Sequence, residues 1–182
     1  MRFTELPISG VWTIDAEPHS DERGMIFRDF CAREFAAHGL VPTVVQGNIS
    51  VNPHLGTLRG FHYQLPPSEE AKTFSCITGA IYDIVVDLRQ ESATFMNWIS
   101  VELAAADLKS LHIPAGCANA WITTAPDTIV HYYMSQFYSS DAYRGFRYND
   151  PAFSFRWPME PIVISEKDRS LPDFDPLSLK KA

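Results

Sequence analysis

Hydrophobic and polar positions alternate over short, closely spaced stretches along most of the chain. Residues 43–51, 57–64, 72–77, 80–88, 98–103, 110–113, 120–124 and 129–137 are rich in β-branched and aromatic side chains. Each run is bounded by Gly, Pro, Asn, Asp or Ser, so each reads as a strand. A helical pattern appears over residues 32–38, amphipathic through Phe35 and closed by Gly39 and Pro42. Eight strand runs predict an all-β chain, with a closed or double-sheet antiparallel fold of the jelly-roll type. Prolines and glycines are spread as punctuation, with no repeat or low-complexity tract, so residues 1–182 are expected to form a single domain.

Residues 80–88 bear on what the inside of that fold contains. Tyr82, Ile84, Val86 and Leu88 share one face of the strand, wholly apolar and expected to pack on the core. Ile81, Asp83, Val85 and Asp87 share the other. That face meets either water or a cavity that wants carboxylates; alternation alone favours water.

Composition narrows the class. With 182 residues, 46% hydrophobic and 20% charged, the chain suits one compact domain with a real apolar core and does not suit a disordered segment. No apolar run is long enough to span a bilayer as a helix, so no membrane partner is expected. Fifteen basic residues against 22 acidic ones give a net charge of −7. That field repels a phosphate backbone, so no nucleic acid is expected either, although a pocket can still gather Arg and Lys around one small anion. Cys31, Cys76 and Cys117 are odd in number and far apart, which implies no disulfide framework. Glu5 and Pro7 interrupt the start of the chain where a secretory peptide is continuously apolar, and a reduced, cytoplasmic setting is expected.

Three clusters carry candidate chemistry. The densest is Gly56-Thr57-Leu58-Arg59-Gly60-Phe61-His62-Tyr63-Gln64, followed after a Pro-Pro turn by Lys72. A base, two cations and an amide on adjacent strands suit an anionic or carbonyl substrate. Strict alternation puts Arg59 and His62 on opposite faces, and a bulge at Gly60 would bring them together. The second cluster runs from Ile113-Pro114-Ala115-Gly116 to Asn119 and on to Val130-His131-Tyr132-Tyr133, where at most one of the two tyrosines is expected to be catalytic. The third, Ser165-Glu166-Lys167-Asp168, reads by itself as a solvated loop. Small β-barrels often hold a transition metal through a His-x-His pair, a Glu and a later His. Here Gln64 and Asn119 stand where two of the imidazoles belong, and amides are poor ligands, so no metal is expected.

Taken in order, these residues resemble the dTDP-4-dehydrorhamnose 3,5-epimerases, from about Val11 to about Asp168. The marks are Asp21-Glu22-Arg23-Gly24, Gln46-Gly47-Asn48, Leu58 to Gln64, Lys72, Asp83 to Arg89 and Ser92 to Phe95. They continue with Ile113 to Gly116, Asn149-Asp150-Pro151, Trp157-Pro158 and Ser165 to Asp168. The resemblance implies a cupin-type double-stranded β-helix with short peripheral helices, no cofactor, a homodimer, and a nucleotide-diphospho-4-keto-6-deoxy sugar as substrate. It implies His62 as general base, Asp168 as its orienting carboxylate, Tyr132 as the acid on the opposite ring face, and Lys72 with Arg59 near the C4 ketone. Arg23, Gln46 and Asn48 would hold the diphosphate end, and Lys167 belongs to the same substrate-binding set. Asn119, Arg28 and Tyr143 stand at substrate-contact positions where the family usually has His, Glu and Glu. The reversed charge at Arg28 suggests a nucleotide other than dTDP. A single-centre epimerase on a different nucleotide sugar and a non-catalytic sugar-nucleotide-binding cupin are the alternatives.

Overall fold

The computed structural model describes residues 1–179, so the last three residues of the single domain expected over 1–182 lie outside it. The strands in chain order are β1 (Arg2–Glu5), β2 (Trp12–Asp15), β3 (His19–Asp21), β4 (Gly24–Ile26), β5 (Gln46–Asn52), β6 (Thr57–Gln64) and β7 (Lys72–Thr78). They continue with β8 (Ala80–Asp87), β9 (Trp98–Ala104), β10 (Lys109–Ile113), β11 (Cys117–Thr123), β12 (Thr128–Met134), β13 (Tyr143–Gly145) and β14 (Val163–Ile164). Helix α1 (Ala32–Ala37) falls where the sequence placed it, and α2 (Glu166–Arg169) is a single turn. One sheet has the order β1-β2-β10-β7-β12-β5 and the other β13-β6-β11-β8-β9, with β14 added to β6. All these pairs are antiparallel except β14 with β6. Two such sheets face to face make the expected jelly roll.

Between the sheets lies a cluster built from Phe74, Leu111 and Val130 on one side and Ile81, Val85, Leu103 and Trp121 on the other. A second cluster covers the outer face of the β8-containing sheet. There Phe61, Ile84, Val86 and Ala120 meet Phe146, Phe153 and Phe174 from the C-terminal third of the chain. That sheet is therefore buried on both faces, which is why β11 is buried from end to end. The water-facing reading of β8 is corrected by the same fact. Ile81, Asp83, Val85 and Asp87 are each fully buried and belong to the interior, because the returning chain, not solvent, takes the opposite face.

Asp87 uses that burial to tie down the turn after β8. Its carboxylate accepts from Arg89 Nε (2.8 Å) and Nη2 (2.9 Å), Ser92 Oγ (2.6 Å) and Thr94 Oγ1 (2.7 Å). Burial by itself would raise its pKa, but these donors outweigh burial and hold it at about 2. Asp87→Asn leaves a half-buried Arg89 without its counter-charge and should cost about 3 kcal/mol in urea unfolding at neutral pH. A carboxylate held low stabilises above its unfolded pKa, ~3.9, and loses that contribution as pH falls through its folded value. The gap between wild type and variant should therefore close between about pH 4 and pH 2. A gap independent of pH would mean that packing, not charge, carries the effect.

Candidate active site

The polar end of the barrel opens into a cavity of about 580 Å³, within the range of small-molecule sites. Its walls come from five strands: Gln46 and Asn48 of β5, Arg59 and His62 of β6, Lys72 of β7, Asn119 of β11 and Tyr132 of β12, with Tyr143 of β13 at the rim. Arg59 and His62 share the cavity because of a bulge. Asn119 pairs with His62 and Trp121 with Arg59, so one residue between the β11 partners faces two on β6, at Gly60-Phe61.

His62 Nε2 lies 2.7 Å from Asp168 Oδ1, so the nitrogen facing the carboxylate carries the proton and Nδ1 is left as the basic nitrogen. Asp168 is 5% exposed. The turn of α2 brings it there, with Ser165 Oγ capping the Asp168 N–H at 3.0 Å and Gly60 N–H approaching the carboxylate at 3.5 Å. The solvated-loop reading of residues 165–168 is thus corrected: a capped turn packs its one inward acid against β6. Burial lowers the His62 pKa and Asp168 raises it, while Lys72 and Lys167 lower it again; burial wins and the net shift is downward. The imidazole is neutral at physiological pH and available as a base.

Lys72 is 9% exposed. Its ammonium donates to the His62 carbonyl at 3.1 Å and lies 3.0 Å from Glu70 Oε1 and 3.5 Å from Asn119 Oδ1. Asn119 turns its other end to Asp83, with Nδ2 donating at 3.0 Å. Burial lifts the Asp83 carboxyl well above the usual range against the pull of Asn119 and Lys72. Tyr132 stacks on Phe74 with ring centroids 4.9 Å apart. Burial raises the Tyr132 phenol, Arg59 lowers it and Glu70 raises it, and the net shift is upward, so the group carries its proton at neutral pH. The cavity thus holds a neutral base, a protonated phenol and two cations, which suits moving a proton next to a carbonyl and holding the oxyanion that results.

Of the residues expected from sequence, Gln46, Asn48, Arg59, His62, Lys72, Asn119, Tyr132 and Tyr143 line this cavity, and Asp168 stands behind His62. Lys167 sits just outside, its Nζ 3.9 Å from the Tyr143 ring centroid. Arg23 and Arg28 are not brought to it. Arg23 pairs with Asp21 on the exposed β3–β4 hairpin, and Arg28 donates to Glu34 at 2.6 Å with 61% of its side chain exposed. Both arginines therefore stand away from the cavity of their own chain, Arg28 beside α1. Glu70, Trp121 and Tyr138 also line the cavity and were not expected. Glu70 falls in a turn-like Pro66-Pro67-Ser68-Glu69-Glu70 run, and its spacing of two from Lys72 is the one sequence signal that places it here. Among the described residues no three His, Cys, Asp or Glu side chains converge as metal ligands.

A family model described as dTDP-4-dehydrorhamnose 3,5-epimerase matches residues 5–176. The chain is 36% identical over 173 residues to the dTDP-4-dehydrorhamnose 3,5-epimerase of Sinorhizobium fredii, covering 94% of this chain and 89% of that one. The Bacillus anthracis enzyme of the same name, solved with TDP and PPi bound, superposes with a TM-score of 0.91 at 32% identity, covering 95% of this chain and 99% of that one. A 3'-monoepimerase from Streptomyces bikiniensis, solved in complex with dTDP-quinovose, superposes at 0.85 and 33% identity, covering 92% and 85%.

Proposed function

The chain belongs to the dTDP-4-dehydrorhamnose 3,5-epimerase family, and from that premise we propose that it inverts C3, C5 or both in a nucleotide-diphospho-4-keto-6-deoxy sugar. It is an isomerase with a cupin-type all-β fold. The observation that carries the reaction is the convergence of the His62–Asp168 pair, Lys72 and Tyr132 on one cavity.

Hydrogens on C3 and C5 are acidic only through the C4 ketone. His62 takes one of them through Nδ1, and Asp168 steadies the imidazolium that forms. Lys72 and Arg59 meet the negative charge that develops on the C4 oxygen. Tyr132 returns a proton to the carbon from the opposite ring face, which completes inversion. Gln46 and Asn48, at the open end of β5, suit the diphosphate side of the ligand.

The sheet edge supports a homodimer. On β5, an edge strand of the first sheet, Ile49 and Val51 are 69% and 64% exposed, and Met25 and Ile26 of the β3–β4 hairpin are 60% and 74% exposed. Arg23 rides on that hairpin, so any diphosphate contact it makes belongs to the cavity of the second copy. No helix among the described residues is long and apolar enough to cross a membrane; the unpaired Cys31, Cys76 and Cys117 support a reduced cytoplasmic setting.

The test is incubation with a panel of 4-keto-6-deoxy sugars linked to dTDP, UDP, GDP or CDP in deuterated water, after treatment with a chelator. Deuterium at C3, C5 or both is expected, undiminished by the chelator. Exchange at C3 alone would support the single-centre reading that the Streptomyces structure suggests. Tight binding without exchange at either carbon would sink the enzyme reading, and activity that follows removal and return of a metal would sink the cofactor-free one.

A further inference from the structure

Glu70 lines the cavity but has no part in the reaction outlined above. Its side chain is 4% exposed and stands in the turn before β7, with Oε1 3.0 Å from Lys72 Nζ. Oε2 is shut off from water and has no hydrogen-bond partner among the described residues. A carboxylate oxygen left in that condition is costly, because nothing offsets its lost hydration. The pairing with Lys72 accounts for Oε1 and leaves Oε2 unexplained. The charge lies within reach of the reacting side of the cavity, since it adds to burial in raising the Tyr132 phenol.

Lys72 can only donate and Glu70, as a carboxylate, can only accept. With Oε1 3.0 Å from Nζ, carboxylate and ammonium place an acceptor and a donor side by side, as two neighbouring oxygens on a sugar ring require. A 4-keto-6-deoxy sugar offers the matching pair beside its ketone at one carbon only: C3 carries a hydroxyl, whereas C5 carries a methyl group. The last torsion of a glutamate side chain is soft, so Oε2 can turn to a donor at small cost.

Resting on the epimerase reading, we propose that Glu70 determines substrate specificity by accepting a hydrogen bond from the C3 hydroxyl while Lys72 donates to the C4 oxygen. The site thereby selects a ketone flanked by a hydroxyl and disfavours the 3-deoxy sugar, which leaves Oε2 buried and unpaired.

The experiment follows total deuterium uptake at C3 and C5, which the ketone acidifies with or without a C3 hydroxyl, for a dTDP-linked 4-keto-6-deoxyhexose and its 3-deoxy counterpart. Wild type should favour the hydroxylated sugar by at least about tenfold in kcat/KM, mostly through KM, as expected for a hydrogen bond to a charged group. Glu70→Met keeps the length of the side chain without an acceptor and should bring the two sugars to within about threefold, by loss on the hydroxylated one. The variant also frees Lys72, which changes both sugars alike, so the ratio isolates the hydroxyl. A wild type without preference overturns the proposal, as does a Glu70→Met enzyme with the wild-type ratio. Should Glu70→Met fail to fold, the wild-type ratio decides alone. Absence of exchange at C3 and C5 on every sugar would instead overturn the epimerase reading.

Discussion

His62→Ala is expected to slow exchange of the C3 and C5 hydrogens by roughly 10²- to 10⁴-fold, the range that a positioned base supplies. The loss should fall on kcat, because the imidazole acts on the proton in flight and is only one of many contacts to the nucleotide sugar. Tyr132→Phe separates the two halves of the reaction. The phenyl ring keeps the stack on Phe74, abstraction by His62 survives, and inversion fails because the opposed proton donor is gone. Deuterium should then still enter while product with the inverted centre falls away. Equal loss of exchange in both variants would argue against separate base and acid. The pH profile adds a sign. A base must be neutral to act, so activity is present above the His62 pKa and lost as pH falls through it. Burial, prevailing over Asp168, puts that limb below the ordinary 6.5. Tyr132, raised by burial, keeps its proton past the ordinary 10, so the alkaline limb lies high.

How far the sequence speaks depends on whether a signal is local. The central strands were legible because alternation and turn residues act over a few positions: 57–64, 72–77 and 80–88 reappear as β6, β7 and β8. The short strands β1, β2, β13 and β14 were not, since two to four residues hold no period, and pairing with a longer neighbour creates them. The inward Asp83 and Asp87 were misjudged because no pattern within β8 announces that Phe146, Phe153 and Phe174 return to cover its other face. Asp168 shows the same limit from the opposite direction. Local chemistry made it a surface acid, and only the family resemblance joined it to a histidine 106 residues away. Arg28 shows a third limit: its reversed sign stands out in the sequence, whereas its pairing with Glu34, six positions on, is visible only in the fold.

Gly60→Ala should damage stability and site together, because one residue sets the bulge for both. Gly60 has φ of +111°, and a methyl group built there would stand 2.6 Å from the Asn119 carbonyl oxygen and 2.7 Å from Ala120 Cα. Those are backbone atoms of a strand held on both sides, by β6 and by β8, so the neighbour has nowhere to go. Left-handed strain and overpacking each cost ~1–3 kcal/mol, which makes about 2–6 kcal/mol together, a large part of what a domain of this size has. If β6 relieves the clash by giving up its bulge, strict alternation returns, and Arg59 and His62 part to opposite faces. Thermal unfolding should therefore start well below wild type, and deuterium exchange should be lost even at temperatures where the variant remains folded. Gly24→Ala is the control: φ there is +117°, but nothing lies within 4 Å of the added methyl. It carries the strain without the contact and should cost about 1–3 kcal/mol. If the two variants melt alike, close approach to β11 is not what demands glycine at position 60. If Gly60→Ala unfolds early yet keeps full exchange when cold, the bulge is not what brings base and guanidinium together.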